Sequence, residues 1–96
     1  MQHKFLVHEP GDSVGVAVVD IKAGEKATGV FLNDHNSRVE VVAQQDIPLG
    51  HKIALVPVVE GGRVIKYGVA IGVAARPIAP GEHVHVHNLK SARWGK

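Results

Sequence analysis

"DIPLGHKI", residues 46–53, has two counterparts in the same chain: "DIKAGEKA" at 20–27 and "PIAPGEHV" at 77–84. Each has an isoleucine, two residues, a glycine, a polar residue, a basic or histidine residue, then an apolar one. The glycines are Gly24, Gly50 and Gly81, and their unequal spacing is not that of a solenoid. A reused local turn accounts for it. The isoleucine anchors the incoming segment, the glycine supplies a backbone angle that a Cβ would penalise, and the next strand begins with its polar residues outward. Unrelated β-turns of similar sequence would match so loose a template equally well.

Between these turns the chain reads as short strands. "FLVH" (5–8) and "VGVAVV" (14–19) are β-like and apolar. "GVFL" (29–32) and "RVEVV" (38–42) flank "NDHNS", whose Asn, Asp and Ser favour a turn. In the second of these, Val39 and Val41 share one face, and Arg38 and Glu40 the other. "HKIALVPV" (51–58) and "RVIKYG" (63–68) are separated by "VEGG", another turn signal, and "VAIGVAA" (69–75) is apolar on both faces and reads as buried. No window carries a helical stripe of ten residues or more, although 12–20 and 57–61 could each hold a short helical turn. The expectation is one compact, mostly-β domain over residues 4–89, with irregular loops and a polar tail at 90–96.

Composition narrows the function. With 96 residues, 45 % apolar and only 4 % aromatic, the core is built from Val, Ile, Leu and Ala, which suits strands and tight turns. A deep, fully enclosed active site is hard to build at this size. The net charge of +2 is scattered, with neither the basic stripe nor the stacking aromatics of a nucleic-acid binder. The absence of cysteine excludes disulfides, thiolate metal sites and a Cys nucleophile. No secretory h-region and no span of about 20 apolar residues is visible, so a soluble cytoplasmic protein is expected, with neither membrane nor nucleic acid as partner.

"GEHVHVHN", residues 81–88, carries the chemistry. On a strand, His83, His85 and His87 share one face, and Val84 and Val86 point into the core. Same-face neighbours are then roughly 7 Å apart, and His83 and His87 roughly 13 Å. One adjacent pair could grip a metal at about 2.1 Å per nitrogen, with a third ligand from elsewhere, for example His51. The same row could equally be a solvated face, or serve acid–base or anion-binding roles without a metal. Asn88 could orient a substrate or cap a turn. His51-Lys52 follows Gly50 as Glu82-His83 follows Gly81, so matched turns would bring His51 towards the row. Lys66, in "VIKYGVAIG", could bind a carboxylate or lay its stem along the surface. His3, His8 and His35 read as isolated surface residues.

"IPLGHKIAL", "VIKYGVAIGVA" and "GEHVHVHN", in this order, resemble the SAF-type module of the altronate and galactarate dehydratase family over about residues 4 to 94. A stand-alone module ending in "NLKSARW" is similar to the small subunit of two-component members. The resemblance implies a β-clip fold and a lyase subunit performing β-elimination on a hydroxy acid, with loss of water or sulfite. It further implies a divalent metal such as iron and a large catalytic subunit of the same family, without which this chain is inactive. His85 and His87 are the candidates for catalysis and metal ligation, and His51, Lys66 and Asn88 for substrate binding. The resemblance leaves room for a homo-oligomer. Because SAF-type folds also occur outside enzymes, a non-catalytic module binding a sugar acid or a protein partner is the alternative.

Overall fold

The computed structural model describes residues 3–91. Among them are nine strands and no helix: β1 (Phe5–Val7), β2 (Val14–Ala17), β3 (Lys26–Phe31), β4 (Asp34–Val42), β5 (Lys52–Ala54), β6 (Arg63–Lys66), β7 (Val69–Ala74), β8 (His83–Val84) and β9 (Leu89–Ser91). Six form one sheet in the order β4-β3-β1-β2-β5-β8, and three form a second, β6-β7-β9. Among the described residues, no helix is long and apolar enough to cross a membrane. The short helical turns considered at 12–20 and 57–61 are replaced by β2 and a glycine turn.

The repeated glycine turns organise this framework. Glu25 N donates to Lys22 O at 3.0 Å, His51 N to Pro48 O at 2.9 Å, and Glu82 N to Ala79 O at 3.1 Å. Gly24, Gly50 and Gly81 hold the third position with φ of 86°, 86° and 89°, the type II pattern. A fourth copy was disguised by a valine. Val58 stands where the others have isoleucine, Gly61 has φ 81°, and Gly62 N donates to Val59 O at 2.8 Å. The four turns pair off, Ile21 bridging Ile47 and Val58 bridging Ile78. Sequence spacing that looked irregular thus becomes two matched pairs in space.

The anchors lie in two apolar clusters. Phe5, Val7, Ile21, Ile47 and Ile53 lie in one, and Val14, Val64, Ile78 and Val84 in the other. Phe5 is fully buried, which stabilises the fold by about 1.5–3 kcal/mol. Its ring occupies the space left open by Gly29 on parallel-paired β3, where an added Cβ would come within 2.0 Å of it.

Several expectations shift. The turn expected at 33–37 shrinks to Leu32 and Asn33, because Phe31 already pairs with Asp34. The Asp34 carboxylate then accepts from Asn36 N and Ser37 Oγ inside β4, so its polar residues hold a bulge rather than a loop. Val39 and Val41 pack against the core while Arg38 and Glu40 are exposed, as their alternation required. "VAIGVAA" is not uniformly buried, since Val69 at its turn is exposed. The domain boundary expected at Lys90 falls inside β9, whose Lys90 and Ser91 pair with Val73 and Gly72; the rest of the expected tail lies outside the described residues.

Candidate functional site

The histidine row is not a strand. β8 ends at Val84, and residues 85–88 turn back on themselves. Asn88 N and Leu89 N both donate to His85 O, at 3.0 and 2.9 Å. The Asn88 side chain completes the turn, its Oδ1 accepting from His85 N at 3.0 Å and its Nδ2 donating to His83 O at 2.9 Å. Val84 is buried as expected, but Val86 is 82 % exposed instead of lying in the core. Asn88 is only 1 % exposed and uses both ends of its amide on the loop. The turn-capping alternative is the one whose hydrogen bonds are present.

This turn changes the geometry that strand spacing implied. His83 and His87, expected roughly 13 Å apart on a strand, have ring centroids 5.4 Å apart. The pairing of β5 with β8 sets Ile53 opposite His83 and delivers His51 to the same place. His51 Nδ1 and His83 Nε2 are 2.8 Å apart. His85 closes the group, its ring 4.8 Å from that of His51 and 5.6 Å from that of His83.

His51, His83 and His85 present nitrogen atoms that all lie within 4.8 Å of one another, the only such metal-capable group of three among the described residues. The set fits a divalent transition ion. Without an ion, His51 Nδ1 and His83 Nε2 share a hydrogen bond of 2.8 Å, and two nitrogens held at about 2.1 Å and at right angles around one ion would stand a similar distance of about 3 Å apart. Of the pair expected to ligate, His85 belongs to this trio. His87 lies outside it, beyond His83, with its carbonyl accepting from Arg76. His83 was only an open question in the sequence, because the turn that folds the row back depends on the buried amide of Asn88. Burial first, then the charges of His51, His87 and His85, hold the His83 pKa below its ordinary 6.5. A neutral imidazole is the form that binds metal.

Lys66 reaches the site by a separate route. Tyr67 and Gly68 form a two-residue turn between β6 and β7, with φ of 59° and 70°, the type I′ geometry of tight hairpins. For a tyrosine this is strained. Buried Asp12 holds it there, accepting from Tyr67 N and Gly68 N at 3.0 Å each and from Glu9 N at 3.1 Å. Ser13 exchanges two further bonds with Ile65. The Tyr67 ring stacks on His8 at 3.8 Å, so His8 is a platform rather than an isolated surface residue. Lys66 Nζ stands 5.3 Å from the centre of the Tyr67 ring.

Lys52, Lys66 and His85 line one open pocket of 410 Å³ with Ile71, Val86 and Leu89. Burial, and then the nearby Lys66 charge, push the Lys52 pKa below its usual range. Asp12 is a contributor that sequence reasoning did not single out, and Lys52 entered it only beside His51 in the matched turn, without a role. Asp12 reads as an ordinary turn residue after Pro-Gly, and only the fold shows what it holds.

The family model for the altronate/galactarate dehydratase SAF domain matches residues 3–92. The (2R)-sulfolactate sulfo-lyase subunit alpha of Chromohalobacter salexigens is 43 % identical over 95 residues, covering 98 % of this chain and 100 % of that one. Its counterpart from Paracoccus pantotrophus is 46 % identical over 59 residues, 62 % of this chain and 88 % of that one. The altronate dehydratase of Bacillus subtilis is 41 % identical over 87 residues, which cover 91 % of this chain and only 16 % of that much longer protein.

Proposed function

The chain belongs to the altronate/galactarate dehydratase SAF-domain family, and on that premise we propose that it is the small subunit of a lyase that eliminates water or sulfite from a hydroxy acid together with a larger catalytic chain. The observation carrying this reading is the convergence of His51, His83 and His85 beside a pocket that His85 shares with two lysines. The Chromohalobacter relative is by name one subunit of a sulfo-lyase, and the altronate dehydratase carries this module within a far longer chain. Both point to a partner that completes the cleft.

Elimination beside a carboxylate requires removal of a weakly acidic C–H proton, charge stabilisation of the enolate-like intermediate, and help for the leaving group. A divalent ion such as iron would supply a Lewis acid for the substrate oxygens, with His51, His83 and His85 as its holders. The larger chain supplies the base. His87, exposed just outside the trio, passes a proton to the departing group, as an imidazole can near neutrality. Lys66 contacts a substrate carboxylate. Asn88 fixes the loop on which His85 and His87 stand.

Affinity capture of the chain from its native host tests this. We expect it to bring down a dehydratase-like chain of roughly 40 kDa, and the pair, but neither alone, to eliminate water or sulfite from hydroxy acids. Recovery of a lone chain that binds sugar acids without turnover contradicts the reading and makes the protein a binding module.

A further inference from the structure

We infer that Tyr67 is a positioning residue, whose ring, backed by His8, holds the Lys66 ammonium at the wall of the cleft. The inference rests on the lyase reading only for the use made of Lys66, its contact with a substrate carboxylate. Tyrosine is a poor choice for its place in the turn. Both central positions of a type I′ turn take a positive φ, which Asn-Gly meets with little strain. Tyr67 adopts φ 59°, against the clash that disfavours this region for side chains with a Cβ. Nor does the core need the ring, since Tyr67 is 54 % exposed. Neither the turn nor burial explains the residue.

The neighbours of the ring do. Lys66 Nζ stands over it, 5.3 Å from its centre, within the roughly 6 Å at which a cation is attracted to an aromatic face. His8 stacks on the ring at 3.8 Å and 24°. Burial and then the Lys66 charge hold the His8 pKa below its ordinary 6.5, with Asp12 opposing, so the neutral imidazole adds no rival cation to the stack. The backbone beneath is fixed as well, because Tyr67 N and Gly68 N both donate to buried Asp12. Strain over-determined in this way collects at ligand clamps.

Lys66 needs such an anchor. It shares its pocket with Lys52, and the two charges are close enough for Lys66 to lower the Lys52 pKa. That repulsion drives a flexible four-carbon stem towards open water. The aromatic face of Tyr67 pulls the other way and settles the side chain before anything binds, which removes part of the ordering cost of binding. A carboxylate that does not itself react is held alike in the ground and transition states. Loss of the anchor therefore raises KM and spares kcat.

The test compares the parent with Tyr67→Asn, which removes the ring and suits the turn, and with Tyr67→Phe, which keeps the ring; amide NMR spectra check that each is folded. On the full chain alone, the Lys66 ε-methylene protons report the contact, because protons held over an aromatic ring move upfield. We expect that shift in the parent, its retention in Tyr67→Phe and its loss in Tyr67→Asn. In the complex reconstituted with the larger chain, Tyr67→Asn should raise KM about three- to tenfold, the worth of one cation–π contact, with kcat held within about twofold. Tyr67→Phe should restore the parent KM. Absence of the upfield shift in the parent overturns the inference. So does a Tyr67→Asn complex with the parent KM, even if that variant melts earlier, since the ring is then structural. An equal rise in KM for Tyr67→Phe assigns the effect to the phenol hydroxyl and overturns it too. A parent complex that turns over no hydroxy acid contradicts the lyase reading alone, and the place of Tyr67 under Lys66 is then decided by the shift and its loss in Tyr67→Asn.

Discussion

His51 and His83 are 32 positions apart in sequence, yet their imidazole nitrogens meet at 2.8 Å. Two equivalent type II turns make the contact: Gly50 sits immediately before His51, and Gly81 two residues before His83. Each turn feeds a strand, and the two strands pair antiparallel. The candidate centre is therefore a product of the repeated turn, and the predictions begin with the turn.

Gly50→Ala and Gly81→Ala should differ sharply. Both glycines hold φ above 80°, which costs an alanine roughly 1–2 kcal/mol. At Gly50 a methyl meets open space, whereas at Gly81 it would lie 1.9 Å from Val42 O. Urea denaturation should show the Gly50 variant losing about that amount and the Gly81 variant losing substantially more. Equal losses would mean the strand bearing Val42 gives way easily.

Asn88→Ala should unlatch the histidine loop. It leaves His85 N–H and His83 C=O without the partners they have now, a loss of about 1–3 kcal/mol in thermal or chemical melts. Because the same amide positions the loop that carries His85, affinity for Co²⁺, read from its visible absorption, should fall roughly 10- to 100-fold. A variant that melts earlier but binds Co²⁺ as before would limit Asn88 to stability.

Asp12→Ala should loosen the Tyr67 turn, since three backbone N–H groups converge on that carboxylate. Hydrogen bonds to a charged group contribute about 1.5–3 kcal/mol each, so a loss of at least about 2 kcal/mol is expected. Tyr67→Gly on that background should recover part of it by relieving the positive φ. No recovery would show that the ring's stacking on His8 outweighs the backbone strain.

Acid should weaken the metal-free fold through His8. Burial, then the Lys66 charge, lower its pKa below the ordinary 6.5, with Asp12 opposing, and its Nδ1 is buried without a hydrogen-bond partner. The unfolded chain therefore takes up the proton first as pH falls. Stability is complete above about 6.5 and drains away below it, towards the lower folded value. His8→Phe keeps a ring on Tyr67 and should flatten the decline in melting temperature between pH 7 and 5; an unchanged slope assigns the effect to other groups.

The sequence made the strands, the reused turn and the importance of residues 81–88 legible, because each is written in local pattern: alternating valines, Ile-x-x-Gly, and histidines at every second position. It misled where a buried side chain overrides the local pattern. Alternation of His and Val predicts a strand through His87, but Asn88 supplies enough backbone bonds to fold that stretch into a turn. The result exposes Val86 and exchanges His87 for His83 in the converging trio. The turn template matched Gly50 to Gly81 and so brought His51 near the row, but missed Val58 by insisting on isoleucine. Asp12 was invisible because its partners, Tyr67 and Gly68, are 55 and 56 residues away.

The most direct test compares His85→Ala with the parent chain in the complex reconstituted with its larger partner. Assembly, metal content and turnover are measured on the same preparation. The account predicts a complex that assembles normally, holds less metal, and no longer eliminates water or sulfite from the hydroxy acid. Full turnover by the assembled His85→Ala complex would contradict it.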